Sequence, residues 1–218
     1  MSLINEINAI RPNQVKVVAF DIGGVLVRIN RNWEDALHEA GIRNGVFGGL
    51  TAFPGVETLQ LGAISTDEYL EGLRGFLRLE HGHEALQVHN LILKDPYPGT
   101  HELVEELNER GVVTACLSNT NEIHWTEMSS GRFPNISSLQ VTAVSHEMRL
   151  QKPEQSIYEA FEALVSARPG EIVFFDDTEE NVEAALERGW RAYWIDHTKD
   201  TAEQMELILI SEGVLGAP

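Results

Sequence analysis

The sequence predicts an α/β fold: a central parallel sheet, helices on both faces, and a small helical segment inserted after the first strand. Three observations predict it. Five short, β-branched apolar runs punctuate the chain, helical periodicity separates the later ones, and residues 31–95 show helical pattern with no convincing strand.

The runs are Val15–Phe20, Val112–Leu117, Leu139–Val144, Ile172–Phe175 and Arg191–Ile195. Between the first and second, "NWEDALHEA" and "STDEYLEGLRGFL" read as amphipathic helices, the second capped at Ser65/Thr66. "GVFGGLTAFPG" joins them, and "DPYPG" marks the return to the α/β body. Leu103, Val104 and Leu107 share one face of "THELVEELNER", which Thr100 can cap and Gly111 can end. Pro153 is expected to open the next helix, in which Ile157, Ala160, Phe161 and Leu164 recur at helical spacing. After Asp177, the residues Val182, Ala185 and Leu186 form a further apolar face closed by Gly189.

Composition narrows the function classes. Of 218 residues, 43% are hydrophobic and 23% charged, as in a folded soluble protein, and no apolar run reaches the roughly 20 residues of a membrane span. The net charge of −18, from 34 acidic and 16 basic residues without a basic cluster, argues against a nucleic-acid partner. The opening "MSLINEINAIRPNQ" lacks the pattern of a secretory signal, and the single Cys116 excludes an internal disulfide framework. A cytoplasmic location is therefore expected. The oligomeric state is left open.

Four strand ends carry chemistry. "VVAFDIGGVL" brings Asp21 to the end of the first strand, with Gly23 and Gly24 beside it to let the backbone turn. "TACLSNTN" ends on Ser118 and Asn119, "RLQKPE" supplies Lys152, and "IVFFDDTEENV" ends on Asp176 and Asp177. In a parallel sheet these ends gather at one edge, where ligands bind. Three carboxylates so close repel one another unless positive charge intervenes. Lys152 and a divalent cation are the economical solution, and hard oxygen ligands suit Mg²⁺. Ser118, Asp176 and Asp177 are also acceptable helix caps, a role compatible with binding phosphate or metal.

Asp21, Ser118, Lys152 and Asp176-Asp177, in that order, resemble the four motifs of the haloacid dehalogenase superfamily of hydrolases, mostly phosphatases. "LSNTN…KPE..IY…FFDD…N" is similar to the bacterial sugar phosphatases that act on α-D-glucose-1-phosphate. The resemblance implies a Rossmann-like three-layer sandwich, with residues 1–30 and 96–218 as the hydrolase core and 31–95 as a helical cap. It implies that Asp21 is a nucleophile forming an aspartyl-phosphate. Ser118, Asn119 and Lys152 would bind the phosphoryl group, and Asp21, the Gly23 carbonyl, Asp176 and Asp177 would hold Mg²⁺. The implied partner is a small phosphorylated metabolite.

One position departs from the family. Most of its phosphatases carry a second aspartate two residues after the nucleophile, to protonate the leaving alcohol, and here that position is Gly23. The glucose-1-phosphate group also tolerates glycine there, and a hemiacetal oxygen needs less protonation than an ordinary alcohol. The alternative is a catalytically weak relative that binds a phosphorylated ligand or a protein partner. Dehalogenases of the superfamily lack the Asp-Asp pair, which argues against dehalogenation.

Among the remaining residues, Cys116 is expected in the core, and His124, His146 and His197 in the core or on the surface. Trp33 and Tyr69 are expected to pack within their helices, and Asn181 to support the acidic loop.

Overall fold

Alternation within the first apolar run sets the architecture. In a computed structural model describing residues 14–43 and 48–216, β1 (Val17–Phe20) is wholly buried, so both its faces need cover. Val18 and Phe20 enter one core cluster, and Val17 and Ala19 enter another on the opposite face. The stretch read for a secretory signal, up to residue 13, and residues 45–47 of the glycine-rich joint lie outside the described residues.

The chain continues through β2 (Val27–Ile29) into four helices: α1 (Trp33–Glu39), α2 (Gly55–Gln60), α3 (Thr66–Phe76) and α4 (Gly82–Asn90). It returns through β3 (Leu93–Pro96), α5 (Thr100–Glu109) and β4 (Val113–Ser118). Two short helices, α6 (Glu122–Glu127) and α7 (Pro134–Ser137), lead to β5 (Val141–Val144) and α8 (Ser145–Met148). Then come α9 (Gln155–Val165), β6 (Ile172–Asp176), α10 (Glu179–Glu187), β7 (Arg191–Trp194) and α11 (Thr201–Ser211).

The five runs form one parallel sheet in the order β5-β4-β1-β6-β7. Leu103, Val104 and Leu107 of α5 with Met205 and Leu209 of α11 cover one face. Ile157, Tyr158 and Phe161 of α9 with Val182 and Ala185 of α10 cover the other. The result is the expected three-layer α/β sandwich.

Helices α1 to α4 bury Trp33, Leu37, Tyr69, Leu73 and Val88 in a third cluster of their own, so the two aromatics are packing residues. Ser65 caps α3 through a reciprocal bond with Glu68. Among the described residues no helix is long and apolar enough to cross a membrane.

Three local expectations need correction. The segment thought free of strand contributes β3, which pairs antiparallel with β2. "LKDP" has no β-branched residue, and its extended state comes from pairing rather than propensity. The second correction concerns Thr100, which is the first residue of α5 rather than its cap. Its hydroxyl donates to the Tyr97 carbonyl (2.8 Å), and Gly99 precedes it in a left-handed conformation. Finally, α9 starts at Gln155, two residues after Pro153, because Lys152 and Pro153 belong to a turn that serves the site.

Candidate active site

Parallel strands end at the same edge of a sheet, so their terminal polar residues become neighbours. Asp21 directly follows β1, and its N–H extends the ladder to the Phe175 carbonyl of β6 (2.8 Å). Ser118 ends β4 and Asp176 ends β6, the strands on either side of β1. Lys152 arrives from the turn between α8 and α9 and is almost fully buried. Its ammonium donates to Asp21 Oδ1 (2.9 Å) and Asp176 Oδ2 (2.6 Å).

Asn119 holds that lysine in place. Its side-chain Nδ2 donates to the Lys152 carbonyl, and its Oδ1 accepts from the Lys152 N–H, both at 2.9 Å. The amide thus clamps the backbone of the lysine loop from both sides.

The two adjacent aspartates do different work. Asp176 is completely buried and accepts from Lys152, from the Thr178 N–H (2.9 Å) and from Asn181 Nδ2 (3.1 and 3.0 Å). Asn181 therefore supports the acidic loop directly, as expected. The Asp177 side chain pairs with the guanidinium of Arg31, which sits just before α1. Its carbonyl accepts from Trp194 Nε1 (2.9 Å).

Gly24 makes this approach possible. It has φ +86°, and a Cβ there would lie 2.1 Å from Asp177 Oδ2. Gly23 has no such conformation, but a Cβ would come within 3.2 Å of Ile29 Cδ1.

One oxygen from each of Asp21, Asp176 and Asp177 can be chosen so that all lie within 4.8 Å of one another. Burial, with the Asp21 charge beside it, pushes Asp176 up to about 6 against the pull of Lys152. Burial and Asp21 also raise Asp177, and Arg31 opposes them. Burial alone would lower Lys152, but Asp176 and Asp21 outweigh it and hold its proton firmly. Asp176 and Asp177 are drawn toward their protonated forms chiefly by burial, and Lys152 by the negative charge around it. Three carboxylates, all hard oxygen donors, still outnumber Lys152 and the half-exposed Arg31, and the excess fits a divalent cation.

Beside this cluster a pocket opens along Gly23, Ser118, Asn119 and Thr120 and runs up to Leu50, Val56, Gln60 and His89 of the helical segment. Its floor is a buried network. His89 Nδ1 meets the Tyr69 hydroxyl (2.8 Å), His89 Nε2 meets Asn121 Oδ1 (3.3 Å), and His124 Nε2 meets the His89 carbonyl (3.1 Å). The two imidazoles stack at 4.1 Å. Sequence reasoning left His124 undecided between core and surface and gave His89 no role. A lone histidine on an amphipathic helix carries no signal, and the pairing is created by contact between α4 and α6. His146 and His197 are half-buried, and Cys116 is a core residue whose thiol burial pushes up to about 12.

Comparison with known proteins agrees with this geometry. The family model of the haloacid dehalogenase-like hydrolases matches residues 15–189. A phosphatase of Mycobacterium tuberculosis is 27% identical over 217 residues, covering 92% of this chain and 96% of that protein. Acyl-CoA dehydrogenase family member 10 of Mus musculus is 25% identical over 221 residues. That match takes in 93% of this chain and 20% of the mouse protein, so the chain spans about one fifth of that relative's length. A HAD family enzyme of Bacteroides thetaiotaomicron, solved in complex with magnesium, superposes with a TM-score of 0.76 at 27% identity, over 88% of this chain and 99% of that one. The same enzyme solved with magnesium and inorganic phosphate gives a TM-score of 0.71 at 26% identity, over 87% and 98%.

Proposed function

The chain belongs to the haloacid dehalogenase-like hydrolases, and from that premise we propose that it is a Mg²⁺-dependent phosphatase of a small phosphorylated metabolite. The observation that carries this reading is the lysine bridge. Lys152 holds Oδ1 of Asp21, and no described side chain bonds Oδ2, which is left free to attack phosphorus. Magnesium beside Asp21, Asp176 and Asp177 would neutralise phosphoryl oxygens and suppress repulsion between the carboxylates and the anionic substrate. The Mycobacterium tuberculosis phosphatase and the Bacteroides enzyme solved with magnesium and inorganic phosphate support the same reading.

In this mechanism Asp21 Oδ2 forms a bond to phosphorus, and the bond to the leaving oxygen breaks. The Ser118 hydroxyl and the backbone at Asn119 bind phosphoryl oxygens, while Lys152 spreads the charge of the aspartyl-phosphate. Water then attacks phosphorus, releasing inorganic phosphate and restoring the Asp21 carboxylate. Residues 31–95 act as the cap over a core of residues 1–30 and 96–218, excluding bulk water from the reaction. The cytoplasm is the setting that fits a single reduced thiol.

Gly23 supplies no acid, and acid–base help is commonly worth about 10²–10⁴-fold. The substrate must therefore release an oxygen more acidic than an ordinary alcohol, and a sugar 1-phosphate, leaving through its hemiacetal oxygen, is one such ester. The same glycine favours a second reading, in which the chain binds a phosphorylated ligand or a protein partner and turns over weakly or not at all. Phosphate release from a panel of sugar and nucleotide phosphates, with and without Mg²⁺, separates the two. Release that needs Mg²⁺ and falls at least about 10³-fold in Asp21→Asn upholds the enzyme. Binding without turnover upholds the alternative.

A further inference from the structure

The pocket that begins at the proposed phosphoryl site is walled mainly by hydrocarbon. It is a partly open cleft, with about 540 Å³ of space when the solvent at its mouth is included. Ile22, Ile29, Val56, Ile92, Leu93 and Met128 are among the residues that line it beyond Gly23 and Ser118.

Most polar side chains at its border already have partners, and among the described residues beside the proposed phosphoryl site only the Thr120 hydroxyl and Gln60 Oε1 are left to meet a ligand. Gln60 Nε2 donates to the Asn119 carbonyl (3.3 Å). Both ring nitrogens of His89 are taken, by Tyr69 and Asn121, and His124 Nε2 is taken by the His89 carbonyl. Desolvation lowers the pKa of both imidazoles, so this wall presents no charge at neutral pH. A sugar ring carries several hydroxyls, each of which loses water on entry and needs a replacement partner. This wall offers few. An apolar ring loses nothing there and gains from leaving water.

Gly23 points the same way on separate grounds. Without an acid at that position, the departing oxygen must carry its electron pair well. A phenol, with a pKa of about 10 like that of tyrosine, leaves far more readily than an aliphatic alcohol.

We infer that this pocket takes the aromatic ring of an aryl phosphomonoester, with a phenolic oxygen as the leaving group. The inference rests on the phosphatase reading of the adjoining cluster. Asp21 Oδ2 forms the new bond to phosphorus as the aryl oxygen–phosphorus bond breaks. The phenolate keeps the bonding pair and takes its proton from water. Water then cleaves the aspartyl-phosphate as described above.

Two measurements test it. With Mg²⁺ present, kcat/KM for phenyl phosphate should exceed that for either anomer of glucose 1-phosphate by at least about tenfold, and Val56→Thr, which puts a hydroxyl in the wall at nearly constant volume, should shrink that preference severalfold. Calorimetry should show phenylphosphonate, which cannot be hydrolysed, binding at least about tenfold tighter than methylphosphonate. Sugar 1-phosphates turned over as well as phenyl phosphate, or the two phosphonates bound equally, would overturn the inference. Preferential phenylphosphonate binding with no Mg²⁺-dependent release from any ester would uphold the aryl pocket while sinking the phosphatase reading.

Discussion

Two buried polar clusters border the same cleft and treat charge in opposite ways. At the sheet edge, Lys152 stays ionised because Asp21 and Asp176 lie within 2.9 and 2.6 Å of its ammonium. On the pocket floor, His89 and His124 are as deeply buried, and their hydrogen-bond partners are Tyr69, Asn121 and a carbonyl, all uncharged. Burial drives His124 down to about 4 and His89 well below its ordinary value, the neighbouring His124 adding to the effect on His89. Depth alone therefore does not decide ionisation. The first cluster keeps its charge because opposite charge is built in at hydrogen-bond distance, and the second stays neutral because desolvation outweighs the pull of Glu127 on His124.

The comparison breaks most visibly at Lys152. Replacing it with methionine leaves two carboxylates facing each other at the buried end of the sheet. Breaking a buried ion pair in this way typically costs about 3–5 kcal/mol. Thermal unfolding without divalent metal should show a loss of that order, and Mg²⁺ should restore part of it by taking over the neutralising role. A loss that Mg²⁺ leaves untouched would count against a metal site among Asp21, Asp176 and Asp177.

A smaller effect should appear at His124. In the unfolded chain it titrates near 6.5, and in the folded chain near 4, so between these values the unfolded state binds more protons. Its contribution is complete at neutral pH and declines as pH falls through 6.5 toward 4, reaching a loss of about 2 kcal/mol by pH 5. Denaturant unfolding of His124→Gln should accordingly show a shallower fall in stability between pH 7 and 5 than the parent. Equal slopes would mean that the imidazole is not held neutral.

The smallest effect is expected at Arg31. Its guanidinium pairs with Asp177 but is 41% exposed, so the pair is worth at most about 1 kcal/mol. Removing it should free Asp177 for metal and tighten the Mg²⁺ Kd of Arg31→Ala by about three- to fivefold, read by calorimetry. Unchanged or weaker affinity would show that the arginine does not compete with the cation.

Much of the charged cluster was legible along the chain. Each of its members ends an apolar run or precedes a proline, and the order Asp21, Ser118, Lys152, Asp176-Asp177 can be read without coordinates. The neutral cluster was not legible. Tyr69, His89, Asn121 and His124 come from three helices or their caps, and nothing in their spacing marks them as partners. The distinct tasks of the two adjacent aspartates were equally hidden. Asn181, Thr178 and Lys152 surround Asp176, whereas Asp177 turns toward Arg31, and only the fold distinguishes them. The ribbon of β2 and β3 escaped notice because three or four residues of mixed character carry too weak a local preference.

By itself the sequence determined the alternation of strand and helix, since hydrophobic period and turn residues act over a few neighbours at a time. It also determined that polar chemistry would stand at strand ends. Tertiary structure decided the order of the strands, which sets Asp21 between Ser118 and Asp176, and the seating of the inserted helices that lines the pocket with hydrocarbon. Those outcomes depend on pairings between segments tens of residues apart, whose energies come from contact and burial rather than from any local preference of the chain.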